Sequence, residues 1–226
     1  MMNNKQPDFK LGKYERCWGK KHFWIPLLFI ISIFFSLLQP VRLGEGGEVT
    51  LMSMLFIFLI AYCYGGVIGT LSSCLFGIVR FCIDYYIMDY IDRNNLLAEN
   101  NDYFYGYLVM GLAGFFVTLA YRVFKEKMEE DPERKEEIEG RILVIGYTIA
   151  SLLHYLEGVY NCYHYYEPQM GTWERLVHSL KYAFGYIGVE AIITIILLLT
   201  IPKLREAIVF VRKMAREPYD PNLDIF

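Results

Sequence analysis

A chain of 226 residues that is 55% hydrophobic and 17% aromatic gathers its apolar residues into blocks too long for strands. A membrane β-barrel is excluded, because its spans alternate polar and apolar residues over about ten positions and these blocks do not. The net charge of −3 says nothing about partners, since the charges are segregated along the chain, and no basic aromatic stripe marks a nucleic-acid surface.

In chain order, residues 1–21 form a charged, aqueous N-terminal segment. Crossing the hydrocarbon core takes about 20 residues of helix. Six blocks approach that length: 22–39, 50–64, 66–88, 103–124, 142–161 and 183–201. The expected fold is an all-α integral membrane protein of six transmembrane helices, one domain over 22–202, followed by a charged tail at 203–226. The first block is too long for a removable signal peptide and lacks a small-residue cleavage site.

Orientation follows from the cations. Lys5, Lys10, Lys13, Arg16, Lys20 and Lys21 precede the first span, six more lie between Arg122 and Arg141, and five lie between Lys203 and Arg216. That places 17 of the 22 Lys and Arg on one side, which predicts cytoplasmic N- and C-termini. The stretch KEKMEEDPERKEEIE at 125–139 is then a cytoplasmic loop. It reads as a solvated helical hairpin, or else as a docking surface for a cytoplasmic partner.

The second and third spans are joined by Tyr64-Gly65-Gly66, a tight turn. Gly65, Gly69, Ser73 and Gly77 follow at every fourth position, so one face of the third span is small enough for another backbone to approach closely. Ser32 and Ser36 repeat the pattern on the first span, packing either internally or against another subunit. Arg80 and Asp84, four apart, predict an ion pair within the third span. The five cysteines contain no CxxC and read as small buried hydrophobes without a disulfide framework.

The outer side is rich in tyrosine and acid, with Tyr85, Tyr86, Asp89 and Tyr90 after the third span and Tyr160, Tyr163, Tyr165, Tyr166 and Trp173 around the end of the fifth. Most informative is the fifth span itself, where His154, Glu157, Asn161, Cys162 and His164 fall within eleven residues. Ionisable groups are expensive in a bilayer and face each other, a cavity or a solute. Asp102 opens the fourth span on the same side, and His178 and Glu190 flank the start of the sixth. Rings together with carboxylates suit a flat organic cation.

These residues carry a resemblance to a known family. A Gly-Gly loop leading into VTLMSMLFIFLIAYCYG at 49–65, followed by the glycine-stepped third span, resembles the S component of energy-coupling factor vitamin transporters. Asp102-Tyr103 with Gly111-Leu112-Ala113-Gly114, His154-Tyr155-Leu156-Glu157-Gly158, His178-Ser179-Leu180 and Glu190-Ala191-Ile192 resemble its thiamine-specific branch, over roughly residues 25–205. The resemblance implies a substrate-capturing subunit of a bacterial plasma membrane that takes up thiamine or a related cationic vitamin. It further implies a transmembrane coupling subunit and two ATPase subunits as partners. This chain has no GxxxxGK[ST] loop of its own; no enzymatic activity and no cofactor are expected.

By the same resemblance, the substrate-binding residues are Asp102, Tyr103, His154, Glu157, Cys162, His178 and Tyr182. Cys162 stands where the branch has a stacking tryptophan, and Gly47 falls near the position of a second; Tyr160, Tyr163 or Trp173 are the candidates to replace them. Glu157 adds an acid where the branch has a small residue, and Ser32-xxx-Ser36 replaces the AxxxA motif that docks the coupling subunit. The rival reading is an intramembrane metal-binding protein or metalloenzyme using His154, Glu157, Cys162 and His164 as ligands.

Overall fold

The computed structural model describes residues 21–39, 41–42, 48–50, 52–91, 93, 96–166 and 169–216. The N-terminal segment 1–20, Gly47 and the end of the tail at 217–226 lie outside the described residues. Among the described residues, the regular structure is helical apart from one short antiparallel ladder. Its elements are α1 (Lys21–Leu37), β1 (Val41–Arg42), β2 (Glu48–Val49), α2 (Ser53–Tyr64), α3 (Gly66–Ile83), α4 (Leu96–Val123) and α5 (Lys125–Glu130). There follow α6 (Pro132–Asn161), α7 (Thr172–Ala183), α8 (Val189–Thr200) and α9 (Pro202–Arg216). Three π-helical turns, Asp84–Met88, Cys162–Tyr166 and Phe184–Gly188, extend α3, extend α6 and join α7 to α8.

Among the described residues, four helical stretches are long and apolar enough to cross a membrane: Gly66–Met88, Leu96–Val123, Arg134–Tyr165 and Thr172–Thr200. Large apolar side chains stand exposed along their outer faces at helical spacing, such as Leu71, Leu75 and Ile78 on α3 and Ile192, Ile196 and Leu199 on α8. Bands of that extent are costly in water and ordinary against lipid tails.

α2 differs from the spans. It is apolar on every face, and all of it from Ser53 to Cys63 except Phe56 is buried, as a helix enclosed by others must be. At 12 residues it is only ~18 Å long and does not cross the bilayer unaided. It lies at the centre of the bundle, in contact with α1, α3, α4, α6 and α9. Its exit is the tight turn expected from sequence, where Gly65 takes φ 84° and donates its N–H to the Ala61 carbonyl, a conformation that favours glycine. Its entry lacks a capping side chain of its own: Met52 precedes the helix in the left-handed region. Glu190 of α8 reaches across to fill that role. Its carboxylate accepts from Met54 N and Thr50 N, each at 3.2 Å, and from the Thr50 hydroxyl. The unsatisfied N–H groups of a helix start carry partial positive charge and attract a carboxylate.

The small-residue face of α3 packs against α4. A Cβ on Gly77 would meet the Tyr103 carbonyl oxygen at 2.2 Å, and one on Gly111 would meet the Thr70 Cα at 2.5 Å. On α1, Ser32 and Ser36 turn inward; both are fully buried, and Ser32 donates to the Ser53 carbonyl at 2.9 Å. Of the two alternatives for this pair, internal packing holds.

Helix boundaries run beyond the hydropathy blocks. α4 begins at Leu96 rather than 103, and α6 begins at Pro132, so most of the charged run 125–139 is helical. Asp131 breaks the run and caps α6, accepting from Arg134 N at 3.2 Å with Pro132 in the first turn. The tail is not wholly a solvated extension: α9 is amphipathic and buries Ile208, Val209, Arg212, Met214 and Ala215. Arg212 lies 3.4 Å over the Tyr121 ring and 5.0 Å from that of Tyr62, two hydroxyls that are hydrogen-bonded to each other at 3.0 Å.

Candidate functional site

The polar run of the fifth span folds onto one face of α6. At 100° per residue, His154, Glu157 and Asn161 share a stripe, and Gly158 lies beside it. That stripe meets α4 at Gly106, one turn beyond Asp102. The absence of a side chain at Gly106 lets the helices close, since a Cβ there would sit 2.7 Å from His154 Cε1 and 3.0 Å from Glu157 Oε2. Asp102 lies within reach of the Asn161 side chain, whose amide also donates to the Ala98 carbonyl at 3.1 Å. Asp102 is also the charged neighbour of Glu157. Two carboxylates, a histidine and an amide thus converge between α4 and α6. Glu157 Oε2 and Asn161 Oδ1 are buried without a hydrogen-bond partner among the described residues.

Aromatic rings flank this cluster on two sides. Tyr107 of α4 stacks on His154, with centroids 5.5 Å apart, and is braced edge-on by Phe76. On the other side, His178 and Tyr182 stack at 6.3 Å with an interplanar angle of 10°, and Tyr182 leads to Tyr186 at 5.2 Å. Tyr186 reaches Gly158, where a Cβ would lie 3.0 Å from its hydroxyl. His178, Tyr182 and Tyr186 are four residues apart, a ladder along the sixth span that faces α6.

Two other expected residues do something different. The Tyr103 hydroxyl points to α3, donating to Asp84 Oδ2 at 2.6 Å; Asp84 in turn pairs with Arg80 at 3.0 Å, as the i, i+4 spacing predicted. Cys162 is buried at the first position of the π-helical turn. Tyr160, Tyr163 and Trp173, the candidates to replace lost tryptophan faces, line an apolar concavity of about 460 Å³ together with Leu156 and Leu176. Positions 156, 160 and 163 centre about a third of a turn around the helix from 154, 157 and 161, so the concavity is offset from the acids.

Among the described residues, no three His, Cys, Asp or Glu side chains come together in a way that could hold a metal ion. His164 is exposed and packs on Tyr160 at 4.4 Å and Tyr163 at 5.1 Å.

A family model described as thiamine transporter protein (Thia_YuaJ) matches residues 24–209. The chain belongs to the thiamine transporter family. No individual curated protein matches it. Family membership and the lipid-facing helices together make it a multi-pass membrane protein and a transporter rather than an enzyme. Three residues of the cluster stand outside the seven expected substrate-binding residues: Tyr107, Tyr186 and Asn161, the last already part of the polar run of the fifth span. Tyr107 and Tyr186 stand one turn beyond the recognised Tyr103 and Tyr182, and Asn161 one turn beyond Glu157, so helical spacing was the available signal.

Proposed function

We propose that this chain is the substrate-capturing S component of an energy-coupling factor importer, binding thiamine or a related cationic, heteroaromatic vitamin from the outside. The observation that carries this reading is the convergence of Asp102 and Glu157 between α4 and α6, beside His154 and Asn161. Two carboxylates in one low-dielectric site repel each other, and an organic cation between them relieves that repulsion. In this arrangement Asp102 and Glu157 pair the positive charge, and His154 and Asn161 hydrogen-bond the heterocycle. Tyr107 and the His178, Tyr182 and Tyr186 ladder offer the ring faces that the tryptophans provide in the thiamine-specific branch. Tyr103 acts from the far side of α4, through Asp84, as a positioning residue.

The same proposal has six membrane segments with both termini in the cytoplasm, α2 being the short, enclosed one. It keeps a membrane domain over 22–202 between cytoplasmic segments at 1–21 and 203–226. The proposal includes a transmembrane coupling subunit and two ATPase subunits as partners, as the resemblance implies, and this chain carries no nucleotide-binding loop of its own. With Ser32 and Ser36 buried, the exposed side of α1, which presents Ile30 and Phe34, is the surface left for that coupling subunit.

The test is a binding titration of purified protein with thiamine, its phosphates, and its separate pyrimidine and thiazole halves, read by thermal shift and calorimetry. Stabilisation by a ligand that binds only the folded state grows with the logarithm of its concentration over Kd. Asp102→Asn and Glu157→Gln should each raise Kd while leaving the unliganded melting temperature near that of the wild type. Unchanged Kd values in both variants would remove the two acids from the site.

A further inference from the structure

A second concavity lies at the opposite end of the bundle from the acids, with a volume of about 1330 Å³. It is bounded by the first turns of α6, the end of α8, and α9. Its lining is of two chemical kinds. The apolar lining is Val144, Ile145, Leu199 and Phe210, of which Ile145, Leu199 and Phe210 are each half or more exposed. The charged lining is Lys135, Arg141, Arg205, Arg212, Lys213 and Arg216, six cations against four glutamates. Glu137 is taken by Arg141 at 2.5 Å, and Arg212 is held on the Tyr62 and Tyr121 rings. Arg205, Lys213 and Arg216 form no ion pair among the described residues.

From this arrangement we propose that the groove between α6 and α9 binds an anionic phospholipid, with its phosphate on Arg205, Lys213 and Arg216 and an acyl chain along Ile145 and Leu199. A groove that combines apolar and cationic lining at the end of a transmembrane helix suits a lipid of negative headgroup, and basic pockets at that level select such lipids. Charge balance points the same way. Arg212 and Arg216 are one turn apart on α9, and burial followed by the Arg212 charge holds Arg216 below the ordinary guanidinium range. A phosphate beside them offsets both effects. The amphipathic α9, buried on its Ile208, Val209 and Arg212 face, would then be sealed between protein and lipid.

The inference rests on the proposed topology only for the leaflet concerned. In detergent micelles both ends of the bundle are accessible, so its failure there leaves the topology and the vitamin site untouched. The experiment uses the full-length, delipidated chain in micelles doped with phosphatidylglycerol, or with phosphatidylcholine of the same acyl chains, and inorganic phosphate as a third arm. Readouts are thermal shift and lipid adducts in native mass spectrometry. Phosphatidylglycerol should stabilise and persist as an adduct where phosphatidylcholine does not. The triple variant Arg205→Gln, Lys213→Gln, Arg216→Gln should weaken that binding roughly a hundredfold, each surface cation being worth about fivefold. Thiamine affinity should not change in this variant. If the triple variant fails to fold, Lys213→Gln alone should lower the phosphatidylglycerol shift by about fivefold in apparent affinity. Equal stabilisation by the two lipids overturns the proposal. So does an equal effect from phosphate alone, or a phosphatidylglycerol shift undiminished in the variants. Displacement of the lipid by a co-purifying protein bound at α9 would assign the groove to a protein partner instead.

Discussion

Replacing Glu190 by alanine tests whether a side chain from α8 supports the start of α2. The carboxylate accepts three hydrogen bonds there, from Met54 N, Thr50 N and the Thr50 hydroxyl. Hydrogen bonds to a charged group contribute about 1.5–3 kcal/mol each, and a buried N–H left unpaired costs about 1–3 kcal/mol. The hydroxyl can turn to Ser53 Oγ, which already lies 2.6 Å away, so its loss is partly absorbed. The two backbone N–H groups have no such recourse, and Met54 is buried. The expected cost of Glu190→Ala is therefore about 4 kcal/mol, about twice the upper end for the loss of an ordinary single-bond helix cap. For a chain of this size that corresponds to a fall in melting temperature of roughly 8–16 °C. Glu190→Gln keeps one acceptor oxygen and should fall about half as far. Ile196→Ala, on the exposed face of the same helix, is the control and should move little. The assay is thermal unfolding in one detergent, followed by intrinsic fluorescence. A Glu190→Ala protein melting within about 2 °C of the wild type would refute the capping role.

Two further changes separate scaffold from site. Tyr103→Phe removes the 2.6 Å bond to Asp84 and should cost about 1.5–3 kcal/mol in thermal stability. Calorimetry on the same variant should find thiamine affinity little altered, and a large loss would place the Tyr103 hydroxyl on the ligand. Gly106→Ala pushes a methyl to 2.7 Å from His154 Cε1 and 3.0 Å from Glu157 Oε2. Displacing both side chains should raise Kd for thiamine at least about tenfold, a loss near 1.4 kcal/mol, whereas Gly171→Ala, with nothing within 4 Å, should be silent.

The helical membrane class, the tight turn at Gly65 and the Arg80–Asp84 pair could all be read from the chain. Each depends on short-range spacing or on mean apolarity, and both survive without knowledge of tertiary neighbours. The polar stripe of α6 was legible for the same reason: His154, Glu157 and Asn161 share a face by period alone. What faces that stripe was not legible. That Gly106 is the contact on α4, and that Tyr103 turns to Asp84 instead, depends on the rotation of α4 about its axis, which no local signal sets. Glu190 shows the limit most plainly. Its partners are 136 and 140 residues away in sequence, and a search among nearby ionisable groups passes over backbone N–H donors. The amphipathic α9 was hidden by its charge: Lys203, Arg205, Lys213 and Arg216 dominate the composition, while Ile208, Val209, Met214 and Ala215 on the buried face are only visible at a period of 3.6.

The shortness of α2 has a bearing on how the protein is made. A 12-residue apolar helix does not present a full membrane span to the insertion machinery, and its start depends on a carboxylate that is synthesised more than a hundred residues later. Until α8 leaves the ribosome, the N–H groups at Thr50 and Met54 must be served by water or headgroups. The turn at Gly65 binds α2 to α3, so the two would enter the bilayer as a re-entrant pair. α2 would slide to its final depth only when Glu190 arrives. Assembly of the bundle would then finish at its middle, with the sixth span locking the second.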